Sequence, residues 1–195
     1  TISHMGYIKR TPLTEYRLQN RGGVGAKGST TREEDFIEHI YVANMHSTMM
    51  FFTKNGKCYW LKVYDVPEGS KASKGRAIQN VINIEPDDAV QAYMNVENLD
   101  DSDYINNHYV VLATRKGTIK KTSLEAYSRP RANGIIAINV REDDSLIEAL
   151  LTDGDKDILL AGRKGRCCRF HETTVRAMGR TAAGVRGIRI DDDDE

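Results

Sequence analysis

Four stretches of the chain share one pattern, in which an apolar run leads into a basic turn that ends in glycine. The turn glycines are Gly6, Gly56, Gly117 and Gly165, at spacings of 50, 61 and 48 residues. Glycine supplies the positive φ angle that a tight hairpin needs, and Asn55-Gly56 is typical of a type I′ turn. We expect the apolar strand before each turn to be buried on both faces and the alternating strand after it to have one face in water. Each stretch therefore predicts a β-hairpin.

A basic loop, a short strand, an acidic turn and an outgoing strand recur after the hairpins. The loops are predicted at 19–28, 70–76, 128–134 and 178–187, the short strands at 77–82, 135–140 and 185–190, the acidic turns at 33–35, 85–88, 142–144 and 191–195, and outgoing strands at 36–43 and 146–151. Helical periodicity is nearly absent. Only 124–127 and 172–178 could form a helical turn, and we predict loops at both.

Four antiparallel strands in each unit of about 50 residues match the period of a propeller blade. The sequence therefore predicts an all-β, propeller-like array of four-stranded antiparallel blades in a single domain, residues 1–195. The approximate repeats are 1–50, 51–109, 110–157 and 158–195. Because the chain starts inside a hairpin and stops at an acidic turn, we expect about four blades of a larger array.

The distribution of charge is more informative than its total. The chain has 28 basic and 28 acidic residues, but five of the acids form the terminal run 191–195, which leaves 23 acids against 28 bases in residues 1–190. The acidic turns are expected at one corner of each repeat and the basic segments at another. Radial stacking of the repeats would then place the basic corners along one curved rim.

Such a rim fits bent duplex DNA, because cations that neutralise phosphates release condensed counterions. Glycines beside the cations let backbone N–H groups approach phosphates closely. No helix-turn-helix, zinc finger or basic helix is visible, so we expect contacts to the DNA backbone without reading of bases. The predicted DNA-binding residues are Gln19, Arg21, Gly22, Gly23, Gly25, Lys27, Lys62, Lys74, Arg76, Lys120, Lys121, Arg129, Arg131, Arg163, Lys164, Arg166, Arg169, Arg180 and Arg186.

Other classes of function find less support. The three cysteines, Cys58, Cys167 and Cys168, are typical of a reducing compartment, and neither they nor the histidines show metal-ligand spacing. No signal peptide or membrane-length apolar run is present. We predict no catalytic or metal-binding residue and no cofactor for this domain. A protein-interaction propeller and a free-standing enzyme remain the alternatives, and basic turns are also common on ordinary solvated surfaces.

The most specific stretch is Gln19-Asn20-Arg21-Gly22-Gly23-Val24-Gly25. It resembles the gyrase box, the heptapeptide Gln-Arg-Arg-Gly-Gly-Lys-Gly that marks the A subunit of bacterial DNA gyrase, a type IIA topoisomerase. Asn20 and Val24 depart from that pattern, and Lys27 could restore the displaced charge. Further similarity to the family's C-terminal domain covers 6–16, 34–37, 62–64, 117–122, 174–179 and 184–189.

The resemblance implies a six-bladed β-pinwheel, whose neighbouring blades exchange strands and whose rim wraps DNA with a fixed hand. It implies that this wrap lets gyrase introduce negative supercoils, with double-stranded DNA, the remainder of the A subunit and the B subunit as partners in an A2B2 complex. The catalytic centre, Mg and ATP would belong to other parts of that enzyme, in the bacterial cytoplasm at the nucleoid. The corresponding, boxless domain of topoisomerase IV is the nearest alternative.

Overall fold

Antiparallel strands dominate the computed structural model, which describes residues 1–25, 28–31, 34–191 and 194. The elements in chain order are β1 (Ile2–Ser3), β2 (Tyr7–Ile8), β3 (Ile37–His39), β4 (Thr48–Thr53), β5 (Lys57–Lys62), β6 (Arg76–Ala77), β7 (Val90–Val96), α1 (Ser102–Asn107), β8 (Tyr109–Thr114), β9 (Thr118–Ser123), β10 (Ile135–Ile136), β11 (Leu146–Thr152), β12 (Asp157–Ala161), β13 (Cys167–His171) and β14 (Val185–Arg186). In this part of the chain, no helix combines the length and the apolar character that a bilayer span requires.

The strands form three four-stranded sheets and one two-stranded sheet, which confirms the predicted all-β class. The orders are β3-β1-β2-β6, β10-β5-β4-β7, β11-β8-β9-β14 and β12-β13. Each four-stranded sheet takes one edge strand from the following repeat: β6 pairs with β2, β10 with β5 and β14 with β9. Neighbouring repeats therefore exchange a strand, as the family resemblance implies.

The hairpin glycines have the positive φ angles that their turns require, from 75° at Gly117 to 87° at Gly56. The strand before the turn is fully buried in β4 and mostly buried in β8, as predicted. The same prediction is wrong for β12, which is partly buried on one face and exposed on the other. Among the described residues β12 pairs with β13 alone, and Leu159 on its outer face meets no covering sheet.

The alternating strand after the turn was expected to have one wet face, and β9 does not. Five of its six residues, from Thr118 to Thr122, are buried. The exchanged strand β14 pairs with β9 on its open edge, and the loop before β14 covers it further: the Met178 N–H donates to the Lys121 carbonyl. The next repeat thus buries the edge of β9 that its own repeat, through β8 on the other edge, leaves open.

Local helical structure was underestimated. Residues Leu124–Tyr127 and Glu172–Thr174 form 3-10 turns where we predicted loops, and α1 was not predicted at all. The carboxylate of Asp101 caps α1 by accepting from the N–H groups of Asp103 and Tyr104. Only Ile105 of α1 is buried, so the helix has no apolar stripe that periodicity could detect.

The core lies between successive sheets, and β4 contributes to two parts of it. Met50 and Phe52 pack into a cluster with residues of the third sheet, including Leu112. Met49 and Phe51 point the other way, into a cluster with residues of the first sheet. Successive side chains of a strand point to opposite faces, so a strand between two cores must be apolar throughout. This explains the unbroken apolar run before the Gly56 turn.

Candidate nucleic-acid interface

The hairpin turns and the acidic turns meet at one corner of each repeat, which we call the hairpin corner. An aspartate of the acidic turn accepts a hydrogen bond from the N–H of the residue just before the hairpin glycine. The four bonds are Met5 N to Asp35 at 3.0 Å, Asn55 N to Asp88 at 3.1 Å, Lys116 N to Asp144 at 2.9 Å and Lys164 N to Asp194 at 2.9 Å. The acidic turns thus act as caps for the hairpin turns.

Ion pairs bring further carboxylates to the hairpin corner. Lys57 pairs with Glu85 at 2.5 Å and Arg166 pairs with Asp191 at 3.2 Å. Lys116 pairs with Asp143, and its hydrogen bond lowers the pKa of that carboxyl. We expected acidic and basic segments at separate corners, and for the hairpin turns this is wrong. Arg166, Lys164 and Arg163 belong to a turn that the structure places against acids.

Arg169 is also held by a carboxylate. It lies on β13, exposed to solvent, and its guanidinium pairs with Asp157 on the adjacent strand β12. An opposite charge held this close weakens the attraction that a cation offers to a phosphate. Arg169 and the cations of the fourth hairpin turn are therefore weaker candidates than the sequence suggested.

The second basic segment of each repeat is a loop, at residues 70–76, 128–134 and 178–187 in the second to fourth repeats, and we call these loops together the loop edge. In the second repeat the loop turns where the Ser73 N–H donates to the Ser70 carbonyl, and Gly75 then leads into β6. Gly75 has φ +79°, and a Cβ there would lie 2.6 Å from the carbonyl oxygen of Ile8. The close approach excludes any side chain and fixes the loop on the preceding repeat.

The same construction recurs in the next two loops. Gly134 and Gly184 have φ +69° and +90°, and a Cβ at either would lie within 2.9 Å of a carbonyl oxygen two residues after the preceding hairpin glycine. Equivalent loops are therefore docked in the same way on successive repeats. The cations that these loops carry outward are Lys74, Arg76, Arg129, Arg131 and Arg186, all of them exposed.

None of these five cations forms an ion pair with any described residue. Arg180, in the fourth loop, is half-buried, and its guanidinium donates to the Ile136 carbonyl at 3.1 Å. These five cations of the loop edge thus have no ion pair within the described part of the chain, in contrast to Lys57, Lys116 and Arg166 at the hairpin corner. An edge of this kind attracts polyanions.

The first loop lies beside the second. Gln19, Arg21, Gly22, Gly23 and Gly25 are exposed, and the Gly23 N–H closes a turn onto the Asn20 carbonyl at 3.0 Å. Two contacts of Lys71 connect the first loop to the second: its ammonium lies 4.4 Å from the centroid of the Tyr16 ring, and its backbone N–H donates to the Glu15 carboxylate. Lys27 lies outside the described residues.

Lys121 does not belong to the surface, which corrects the sequence prediction. Its ammonium pairs with Glu172 at 2.8 Å, and both side chains are buried. Burial by itself would raise the pKa of Glu172, but hydrogen bonds from Lys121, Thr152 and the Lys156 N–H bring it below the usual value. Covered by the next repeat, Lys121 has no access to a phosphate.

Lys120 is fully buried as well, and its surroundings differ. Its ammonium donates to the carbonyl oxygens of Ala137 and Arg180. Burial, with a smaller contribution from the positive charge of Arg180, lowers the pKa of Lys120 to about 8. The prediction that Lys120 contacts DNA directly is therefore wrong, because its ammonium is enclosed between Ala137 of its own repeat and the loop of the next repeat.

Lys62 lies apart from the loops at the end of β5. It is half-buried and donates to the His46 carbonyl at 3.3 Å.

Sequence reasoning missed Lys9, a buried lysine whose ammonium bonds carbonyl oxygens of the second loop. Its signal was its position, three residues after Gly6, where Lys120 follows Gly117. Within the described residues, no three His, Cys, Asp or Glu side chains are grouped to hold a metal ion.

Comparison with known proteins gives a consistent result. The model of the family described as "DNA gyrase C-terminal domain, beta-propeller" matches residues 1–44, 47–96, 108–153 and 156–195. The DNA gyrase A subunit of Haemophilus influenzae is 46% identical over 190 residues, which are 97% of this chain and 21% of that protein. The A subunit of Salmonella typhimurium is 45% identical over 195 residues, 100% of this chain and 22% of that protein. The chain thus spans about a fifth of the length of these relatives.

Solved structures agree with the fold. The C-terminal domain of a DNA topoisomerase IV superimposes with a TM-score of 0.79 at 27% identity, covering 99% of this chain and 57% of the other. A DNA gyrase A C-terminal domain superimposes with a TM-score of 0.74 at 23% identity, covering 99% of this chain and 60% of the other.

Proposed function

The chain belongs to the DNA gyrase C-terminal domain family, and on this premise we propose that it binds duplex DNA along the loop edge and bends it. One observation carries the proposal: Lys74, Arg76, Arg129, Arg131 and Arg186 are exposed on equivalently docked loops and have no ion pair with a described residue. Cations in such a row gain affinity from every phosphate that they neutralise, through release of counterions.

The same loops supply backbone donors. Gly75, Gly134 and Gly184 let the main chain of each loop lie directly against the preceding repeat, which fixes the position of the loop's N–H groups. Backbone N–H groups are common partners of phosphate oxygens and carry no sequence information. Bending a few tens of base pairs costs on the order of 1–6 kcal/mol. Several charge-assisted contacts of roughly 1.5–3 kcal/mol each could offset that cost.

The hairpin corner would define the limit of the DNA path. Its cations face Glu85, Asp143 and Asp191, so a duplex that moved from the loop edge towards this corner would meet carboxylates. Like charges placed against phosphate repel it and disfavour that placement. The path would then be set both by attraction along one edge and by repulsion at the other.

In the complete enzyme, this chain would form part of the gyrase A subunit and present a DNA segment, wrapped with one hand, for strand passage. The outcome would be negative supercoiling. The domain would perform no chemistry itself, with the remainder of the A subunit, the B subunit of an A2B2 complex, Mg and ATP acting elsewhere. The place of action would be the bacterial cytoplasm, at the nucleoid.

A role in topoisomerase IV is the second candidate, since that C-terminal domain superimposes with a TM-score of 0.79. Two observations favour gyrase. The curated relatives named above are gyrase A subunits at about 45% identity. The first loop also keeps five of the seven gyrase-box positions, namely Gln19, Arg21, Gly22, Gly23 and Gly25.

Relaxed circular plasmid, nicked and religated in the presence of this chain, tests the proposal. Wrapping with a fixed hand would shift the topoisomer distribution in one direction, in proportion to bound protein. Retention of the plasmid should fall steeply between about 50 and 200 mM salt. An unshifted topoisomer distribution, together with plasmid retention that does not change with salt concentration, would exclude DNA wrapping and favour a protein-interaction propeller.

A further inference from the structure

Two buried lysines in different repeats hold main-chain carbonyl oxygens instead of carboxylates. Lys9 is 3% exposed, and its ammonium donates to the carbonyl oxygens of Ser70, Lys71 and Ser73 at 2.9, 3.0 and 2.8 Å. Lys120 is 0% exposed and donates to the carbonyl oxygens of Ala137 and Arg180. A buried ammonium without an opposite charge is costly unless all its protons are bonded, so these sites need an explanation.

The two lysines occupy the same place in the repeat. Each is the third residue after a hairpin glycine, Gly6 or Gly117. Each reaches across to the basic loop of the following repeat. The acceptors also correspond, because Lys71 and Arg180 both lie four residues before the glycine that docks their loop, Gly75 or Gly184. The contact between repeats therefore recurs at the same position. Lys9 bonds three carbonyl oxygens of the next loop, whereas Lys120 bonds that of Arg180 in the next loop and that of Ala137 in its own repeat.

The second repeat shows that the position does not require a charge for folding. Its third residue after the hairpin glycine is Tyr59, which is buried and packs against Gly134 in the third loop. An aromatic ring can therefore fill the same space beneath a loop. Burial of apolar surface would stabilise the fold at less cost than a buried ammonium. The lysines thus provide a positive charge and hydrogen bonds to the loop, which an apolar side chain would not.

An ammonium beneath a loop has two consequences for a ligand above it. Carbonyl oxygens turned inward to the lysine orient the loop's peptide dipoles, with their positive ends directed away from the buried side. The charge itself lies within one loop thickness of the outer surface, in a medium where water screens it poorly. Both effects favour an anion on the outside. Lys74 and Arg76 lie on the loop that Lys9 holds, at the proposed DNA path.

We propose that Lys9 and Lys120 are positioning residues for DNA binding, each holding the next repeat's basic loop by its carbonyl oxygens and adding a buried positive charge behind it. This inference rests on the proposed function. Neither lysine touches DNA. They act through the loops that contain Lys71 to Arg76 and Arg180 to Arg186.

The pH dependence of DNA binding can distinguish a positioning role of these lysines from a purely structural one. Burial lowers the pKa of both lysines, that of Lys120 to about 8, while the carboxylate of Glu15 opposes the shift at Lys9. The other titratable or charged groups around Lys120 are the Arg180 guanidinium and the side chains of Tyr127 and Cys58, whose pKa values burial raises. The Thr1 ammonium beside Lys9 also titrates in this range, because burial lowers its pKa from 8.0. Since Thr1 is present in every variant, a step that is lost in Lys120→Met belongs to Lys120.

The experiment compares this chain with Lys9→Met and Lys120→Met, which keep side-chain length and remove the charge. Lys156→Met is the matched control, because Lys156 is exposed and pairs with Asp153 outside the loop edge. The dissociation constant for a duplex long enough to bend is measured at fixed salt from pH 7.0 to 9.5. We expect each buried-lysine variant to bind about tenfold more weakly at pH 7.0.

The pH profile gives the second readout. The starting chain and Lys156→Met should lose about tenfold in affinity as Lys120 deprotonates above pH 8, whereas Lys120→Met should lack that step. If Lys120→Met does not fold, as judged by circular dichroism, the step in the other two proteins carries the test, and a flat profile overturns the inference.

The outcomes separate the two proposals. A starting chain that shows no salt-dependent DNA retention overturns the proposed function. A starting chain that binds with the expected salt dependence, while both Met variants bind equally well with the same pH profile, overturns the positioning role alone.

Discussion

The hairpin corner and the loop edge carry similar numbers of lysines and arginines but differ in what those cations face. At the hairpin corner, Lys57, Lys116 and Arg166 each meet a carboxylate of the acidic turn. At the loop edge, cations such as Arg76 and Arg131 have no ion pair with a described residue. Basic residues in a repeat are therefore not equivalent, and their neighbours decide which of them can attract a polyanion.

The largest effect expected from this difference is on DNA affinity. Replacing Lys74, Arg76, Arg129 and Arg131 together with Ala should reduce the slope of log affinity against log salt by about 3–4. Affinity at moderate salt should fall by roughly a hundredfold or more, since charge-assisted contacts are lost. Fluorescence anisotropy with a labelled duplex over a salt series measures both quantities.

The control replaces three cations of the hairpin corner with Ala, one in each of three repeats: Lys57, Lys116 and Arg166. We expect its salt slope to stay within about 1 of the starting chain, because these cations are already offset by acids. An equal loss of salt slope and affinity in the two combined variants would show that the hairpin corner and the loop edge do not differ in DNA binding.

A smaller effect is expected on folding stability at the hairpin corner. Asp144 accepts from the Lys116 and Ser145 N–H groups and from the Thr114 hydroxyl. Asp144→Ala should lower the free energy of unfolding by about 1–3 kcal/mol, because buried donors lose their partner. Urea denaturation measures the loss, and DNA affinity of the folded variant should be unchanged.

The neighbouring Asp143 provides the comparison for that variant. It is exposed and contacts the Lys116 ammonium in water, so Asp143→Ala should be far less destabilising than Asp144→Ala. Comparable destabilisation by the two substitutions would show that the corner is held by its surface ion pairs and not by capping.

The smallest expected effect concerns acid sensitivity at Glu172. Its pKa in the folded chain is below the usual value, so Glu172 stabilises the fold above its unfolded pKa, near 4.5, and this stabilisation is lost as pH falls through the folded pKa. Glu172→Gln should therefore flatten the dependence of unfolding free energy on pH below about 4.5. An unchanged dependence would assign the acid sensitivity to other carboxylates.

Much of the fold follows from local signals, because hairpins are set by residues close in sequence. Gly56 and Gly117 mark their turns, and the apolar run of β4 reflects its two cores. The exchanged strands β6, β10 and β14 are two residues long in the structure, too short for an alternating pattern. Their partners could be placed only through the family resemblance.

The site was predictable only in part, for the same physical reason. The basic loops were found, because their cations and glycines are adjacent in sequence. The partners of Lys116 and Lys164, Asp144 and Asp194, lie 28 and 30 residues away, beyond any local pattern. Lys120 and Lys121 follow a turn and look exposed, and only the strand supplied by the next repeat shows that they are buried.

The exchange of strands between repeats has a mechanical consequence. A bent duplex stores elastic energy, and its tendency to straighten would exert a force on the residues that bind its phosphates. Because β6, β10 and β14 continue directly from the basic loops and are bonded into the preceding sheets, force applied to a loop is shared by two repeats as shear along their hydrogen bonds. If the loops bind DNA as proposed, the distances between successive loops would then change little under this force.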